Sequence, residues 1–329
     1  MAERSTITQV TQIGVETEAG TAVAAGKLLQ ALSIEPAIKA DVSTFRPIGG
    51  KYTTIAALGK EWVEAKISGE VACYNHLAYL LAGILNKPTP VQQGATAAYL
   101  WTFTPAQTAA DTIATFTVEQ GSSARAGSFA YGLISSLGLS FSREKIAVSG
   151  TMLGQAYEDG ITMTAKPTAI AVKPILPTDL DVYLDDTSAG IGTTKLTRVL
   201  SGSLDISDRF GTLWAINSAV SGFAAHVETP PTAQLKLLVE ADATGMGLLT
   251  PMRAGDKRYI RLAAEGPTIA DTYKYALQID LCGVVTDVGE FSDEDGVYAV
   301  EWTFDVAYDA AWASGQALKV LLTNVLSAL

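Results

Sequence analysis

Residues 297–309, VYAVEWTFDVAYD, alternate for more than a dozen positions. Tyr298, Val300, Trp302, Phe304, Val306 and Tyr308 fall on one side, and Ala299, Glu301, Thr303, Asp305 and Asp309 on the other. A period of two predicts a strand. At ~3.3 Å per residue it would run roughly 40 Å, well beyond the usual length of about 5–6 residues, so it needs partners. The preceding segment supplies one. Tyr273, Tyr275, Leu277, Ile279, Leu281 and Val285 alternate with Lys274, Gln278, Asp280 and Thr286, and the join at 289–296 (GEFSDEDG) is acidic and glycine-bounded, as an exposed hairpin tip would be. Such a hairpin must pack its apolar face and turn the other to water.

Composition narrows the setting. With 329 residues, the chain is long enough for two domains with real cores. It is 48% hydrophobic and only 17% charged, which suggests that other copies of the chain cover part of its surface. The 34 acids against 23 bases, net −11, argue against nucleic acid as an electrostatically attracted ligand. Cys73 and Cys282 are the only cysteines, too few for a disulfide framework. No signal-peptide pattern opens the chain, and the longest apolar runs, such as 77–85, fall short of the ~20 residues of a membrane helix, so a soluble, unsecreted protein with no membrane partner is expected.

In chain order, 1–12 reads as a mobile arm and 27–33 (KLLQALS) as a strand. Residues 41–60, with Pro47, Gly49, Gly50 and Gly59, read as a long loop or extended arm, a length that usually has a job. Alternation resumes over 62–72, and Asn75 is placed to cap a short helix over 76–85. Short strands are expected at 99–103 and 113–119, and a second long hairpin over 129–157. The prolines of 166–177 mark a linker. Beyond it the pattern repeats: 195–201 (KLTRVLS) answers 27–33, 220–222 (VSG) answers 67–69 (ISG), and a helix over 231–241 answers 76–85. The reading is a first domain at 13–165, carrying 41–60 as an insertion, and a second at 178–329. The second ends in a helix over 317–329, with Leu318, Leu321, Leu322, Val325, Leu326 and Leu329 on one face, docked on a sheet or a neighbouring subunit.

No stretch calls for a reaction. Residues 20–28 resemble a phosphate loop but carry one residue too many between the glycines, and Leu28 where a hydroxyl must reach magnesium. Cys73 and His76 make two ligands where zinc needs three or four, and a buried thiol is the simpler reading. Two histidines and no G-x-S-x-G leave little room for a nucleophilic triad. The carboxylates at 185–186 and 293–295 sit in turns, where solvated charge is the ordinary explanation and calcium the alternative. A non-enzymatic protein without cofactor or metal is expected.

Laid out in this order, the motifs resemble the tail tube (major tail) proteins of long-tailed bacteriophages, in their two-domain form. The resemblance rests on 182–186 (VYLDD), 193–198 (TTKLTR), 209–211 (RFG) with Trp214, 226–233 (HVETPPTA), 252–255 (MRAG) and 287–304 (DVGEFSDEDGVYAVEWTF). The first half matches more loosely, through Val15 and Glu16, 44–47 (TFRP) and 58–62 (LGKEW). It implies a mainly β chain of two tandem β-sandwich domains, each flanked by a short helix, whose long strands join those of neighbours into a multi-subunit β-barrel. A duplicated member is expected to form trimeric, pseudo-hexameric rings that stack into the tube through which the genome leaves. Such a protein assembles in the host cytoplasm and resides in the virion. The implied partners are the chain itself and the tape measure, tail terminator and tail-tip proteins, and DNA passes without specific binding.

Ring closure would pair the strand edges that are otherwise a liability. On this reading Gln278, Asp280, Glu301, Thr303 and Asp305 face the channel, with Ser136, Ser140, Ser149 and Thr151 as their first-half counterparts; the alternative is that this face is the outside of the tube. Phe45, Arg46 and Tyr52 of the 41–60 segment are expected to reach an adjacent ring. The rival reading is a carbohydrate- or cell-wall-binding β-sandwich module in which Trp101, Trp214 or Trp312 stacks on sugars.

Overall fold

The computed structural model describes residues 5–216, 221–313 and 315–329. In the first half, strands β1 (Val10–Val15), β2 (Lys27–Leu29), β3 (Ser33–Phe45) and β4 (Ile55–Gly69) precede helix α1 (Tyr74–Ile84). Strands β5 (Val91–Gln92), β6 (Tyr99–Phe103), β7 (Phe116–Ser122), β8 (Arg125–Ser142), β9 (Ile146–Gly154), β10 (Glu158–Ile161) and β11 (Thr168–Ala169) follow. The second half runs β12 (Leu180–Asp185), β13 (Lys195–Leu196), β14 (Val199–Ser207), β15 (Phe210–Leu213), β16 (Ala225–Glu228) and β17 (Thr232–Glu240), then α2 (Leu249–Ala254). It ends with β18 (Lys257–Ala270), β19 (Tyr273–Val288), β20 (Ser292–Glu294), β21 (Val297–Val306) and β22 (Leu318–Asn324). The protein is mainly β.

Each half uses the same strand order. In the first it is β2–β1–β7–β8–β9–β4–β3, and in the second β13–β12–β18–β19–β21–β17–β14. Even the irregularities coincide: β8 slips against β9 between Ile134 and Ser136, and β19 slips against β21 between Val285 and Asp287. Such bulges bend and twist a long strand. Here they let β8 and β19 leave an outer sheet, shared with β7 or β18, and enter an inner one. The match of 27–33 to 195–201 is therefore structural, since both are a short strand leading into β3 or β14.

The two inner sheets are one. Strand β14 pairs antiparallel with β8, from Ser201 opposite Ser142 to Ile206 opposite Leu137. The result is a continuous antiparallel ribbon, β3–β4–β9–β8–β14–β17–β21–β19. Its apolar face carries Ile34, Val63, Ile67, Val148, Leu204, Leu235, Leu237, Val300, Trp302 and Phe304, all buried in a single core that draws on both halves. Helix α1 is buried along its whole length. Its Leu77 and Leu81 lie between Leu137, Leu204 and Ile206 of the ribbon and Leu277, Ile279 and Val320 of the second-half outer sheet.

Several sequence expectations are corrected. Residues 317–329 hold strand β22, not a helix: Leu318, Val320, Leu322 and Asn324 are buried in alternation, and the strand fills the slot between β19 and β6. The leucine spacing fits both periods, and the open slot decides in favour of two. Residues 231–241 likewise form β17, where Leu235, Leu237 and Val239 point inward, and the second-half helix is α2. Of the two readings of 41–60, the extended arm fits: it is the distal part of the β3–β4 hairpin, paired out to Phe45 opposite Ile55, and only its tip, 46–54, is a loop. Both of its faces meet solvent, so burial imposes no alternation that a sequence could display. It is not peculiar to the first half, because the β15–β16 hairpin lies between β14 and β17 at the same topological point. Ser221 and Gly222 belong to that insertion rather than to the counterpart of β4, and Val220 lies outside the described residues. Of the 1–12 arm, residues 10–12 already belong to β1. Cys73, not Asn75, holds the N-cap position of α1, and the Asn75 amide donates to the Ala171 carbonyl at 2.8 Å.

Candidate functional site

The ribbon's second face is polar. Its registers put Glu35 opposite Lys66, Lys66 opposite Thr151, and Thr151 opposite Ser136. Across the junction Ser140 meets Ser203, Ser203 meets Lys236, and Lys236 meets Thr303. Hydroxyls and small residues thus occupy the middle, with charges of both signs spaced along it. Gln234 donates to Asp305 at 2.8 Å, and the Ser203 hydroxyl to Asp205 at 3.0 Å. Glu301 is exposed, whereas Thr303 is held among its neighbours.

Seven of the nine expected face residues fall together here: Ser136, Ser140, Ser149, Thr151, Glu301, Thr303 and Asp305. Gln278 and Asp280 lie elsewhere, in the part of β19 flanked by β18 and β22. There Asp280 is buried and accepts from Arg261 at 2.6 and 2.9 Å and from Gln278 at 2.7 Å, an arrangement that ties strands together. Glu35, Lys39, Glu64, Lys66, Ser203 and Asp205 also belong to the polar face and were missed. For Glu64 and Lys66 the signal was the alternation over 62–72, and for the β3 and β14 residues it was the matched KL…LS motifs, which lead into strands at equivalent points.

The ribbon's ends differ from its middle. Among the described residues β3 pairs only with β4, which leaves its outer edge without a strand partner there. Beyond Val284, the side of β19 facing away from β21 is likewise uncovered, because β18 pairs no further than Val284. The internal β8–β14 junction shows what such edges look like when satisfied. Ile206 of β14 is 5% exposed there, while Ile38, at the corresponding position of β3, is 58% exposed. Phe45, Arg46 and Tyr52 are exposed at the far end of the β3–β4 hairpin, with Ile48 and Ile55 beside them.

Other candidates resolve into structure. Cys73 and Cys282 are free and buried, and burial pushes the Cys282 thiol up to about 11. Burial alone would raise the Asp185 carboxyl, but hydrogen bonds from Thr194, Thr193 and Gly192 hold it below the ordinary carboxylate range. Among the described residues no group of His, Cys, Asp and Glu is arranged to hold a metal ion. Trp101 is buried and donates to Asn324 at 3.0 Å, and Trp312 is buried against Tyr259, so neither presents a ring to a sugar. Trp214 is half-buried, edge-on to Trp62 at 5.8 Å, with the Lys60 ammonium 5.0 Å from its ring. No helix among the described residues is long and apolar enough to cross a membrane. No family model matches the chain. Nor does any curated protein match it.

Proposed function

We propose that the chain is a self-assembling structural protein that closes into trimeric rings and stacks into a tube, as the tail tube of a long-tailed phage does. The observation that carries this reading is the eight-strand ribbon, whose end strands β3 and β19 hold in their halves the places that β14 and β8 hold at the internal junction. Strand β14 has the place in its half that β3 has in the first, and β8 the place that β19 has in the second. Joining β19 of one molecule to β3 of the next would use the same antiparallel sense as that junction, with Ile38 beside Val288 where Ile206 lies beside Leu137. Strand β19 ends at Val288, so the contact would extend from that pair along 285–288 rather than over the whole internal register. This contact is heterologous, and a heterologous contact forms a ring when its rotation closes.

Three ribbons would form a barrel of about 24 strands. With strands ~4.8 Å apart and tilted ~40°, its backbone would span roughly 50 Å. The apolar face of each ribbon is already covered by the core, so the polar face with Ser136, Ser140, Ser149, Thr151, Glu301, Thr303 and Asp305 lines the channel. A bore of hydroxyls and mixed, acid-rich charge offers phosphates no continuous basic track, and DNA would pass without adhering. The exposed β3–β4 hairpin, with Phe45, Arg46 and Tyr52, would then reach the adjacent ring. The corresponding insertion in the second half is spent within the chain: Phe210 and Phe223 pack on Tyr131, and Ser221 bonds Glu61.

Electron microscopy of the purified protein tests this reading, with rings and tubes of one diameter expected and dispersed single chains at high concentration contradicting it. Glu301→Lys with Asp305→Lys should leave assembly intact but make tubes retain DNA. Tubes indifferent to DNA after that change would place the polar face outside.

A further inference from the structure

The two ends of the ribbon carry opposite chemistry. At one end the β3–β4 hairpin projects with Phe45, Ile48, Tyr52 and Ile55 exposed, and its residues 42–59 include Arg46 and Lys51 but no acid. At the other end lie two turns that occupy equivalent positions, since β8–β9 and β19–β21 are corresponding hairpins. The β8–β9 turn bears Arg143, Glu144 and Lys145, a net positive tip with no exposed aromatic ring. The turn before β21 bears Glu290, Asp293, Glu294 and Asp295, all exposed, beside Phe291 and Tyr298. These two rings stack on each other at 4.8 Å and are 48% and 61% exposed. Exposed apolar groups of this size on both projections mark contact surfaces.

We propose that the hairpin tip of one molecule docks on the acidic, aromatic turn at 289–298 of a second copy, and that the basic turn at 142–146 is refused. The contact rests on the ring reading for its place in a tube. Its chemistry is complementary in two independent respects. Arg46 and Lys51 meet a turn of four acids, and Phe45, Ile48 and Tyr52 meet a ready-stacked aromatic pair. Because the hairpin and the receiving turn lie at opposite ends of the ribbon, the contact runs head to tail and propagates along one axis. It also removes an ambiguity. A trimer of duplicated chains presents acidic and basic turns alternately around its rim, so a ring could settle at six nearly equivalent angles. Charge selects three of them, since attraction at one turn and repulsion at the next is how partners are told apart.

The test reads rings and tubes separately in the full-length protein, rings by native mass and tubes by electron microscopy. Arg46→Glu with Lys51→Glu should leave rings unchanged and cut tube yield on the order of tenfold or more. Asp293→Lys, Glu294→Lys and Asp295→Lys together should do the same, and both sets in one chain should restore tubes. Reversal of Arg143 and Lys145 should have no such effect. Tubes unaffected by the first two sets, or lost equally on reversing Arg143 and Lys145, overturn the docking proposal while rings persist. A wild-type protein that makes no rings overturns the ring reading instead. Docking itself is then read by Tyr52→Cys with Phe291→Cys, which should link different chains under mild oxidation. Absence of that link counts against the contact whatever the assembly state.

Discussion

At the scale of single residues, several buried polar groups have fixed partners that link the two halves. The Arg209 guanidinium is buried, bonds the Ile84 carbonyl at 3.0 Å and pairs with Asp111 and Glu228, binding the second half to the first. Arg209→Ala strands the enclosed Asp111 carboxylate and should cost about 3–5 kcal/mol in denaturant unfolding. Arg198→Ala, which breaks a pair between an exposed guanidinium and Glu240, should cost far less than Arg209→Ala in the same measurement. His76 is pushed down to about 4 by burial, and its Nε2 accepts from the Gln30 and Ala31 amides at 3.3 and 3.4 Å. Its folded pKa lies below the unfolded value of ~6.5, so the unfolded chain binds the extra proton and stability falls as pH drops from ~6.5 towards 4. Removing that group by His76→Gln should flatten the pH dependence of unfolding between ~6.5 and 5 by up to ~1.4 kcal/mol per pH unit. An unchanged slope would show that His76 titrates normally.

At the scale of elements, the alternation over 297–309 marked a strand that runs only from Val297 to Val306: Val300, Trp302 and Phe304 enter the core, but beyond Val306 the pattern fails, with Tyr308 exposed and Asp309 buried. It misled where context outweighs period. Residues 231–241 begin with Pro231, which suits a first helical turn, yet Leu235, Leu237 and Val239 alternate inward. Residues 318–324 fit both templates, and only the gap between β19 and β6 made them a strand. The distal hairpin could be read as an extended arm, but its strand pairing left no alternation because neither of its faces is buried. Of the candidate face, the β8, β9 and β21 positions were legible from their hairpins. The β14 junction that brings them together depends on contacts far apart in sequence, which no local pattern records. These elements differ in what they can lose. Deleting 42–58 removes no core contact, so it should leave unfolding unchanged and yield rings that do not stack. Truncation before Leu318 should prevent folding, because Leu318, Val320 and Leu322 enter the shared core and Asn324 bonds both Trp101 and the Tyr74 carbonyl. A folded truncated chain, read by its cooperative thermal transition, would contradict the place given to β22.

At the scale of the whole molecule, a duplicated strand order produces one ribbon with one internal junction and two loose ends. Edges of this kind are blunted in natural monomers or paired in assemblies. Ile38, exposed on β3 where its counterpart Ile206 is covered, favours pairing. Transferring the Ile206–Leu137 register to the proposed contact between molecules brings Ile38 of one chain beside Val288 of the next. The most direct measurement is oxidative cross-linking of a chain carrying both Ile38→Cys and Val288→Cys, resolved by denaturing mass. Closure by edge pairing gives covalent dimers and a cyclic trimer, with nothing larger from isolated rings. A product that remains at the mass of a single chain, under conditions where both thiols are oxidised, would contradict it.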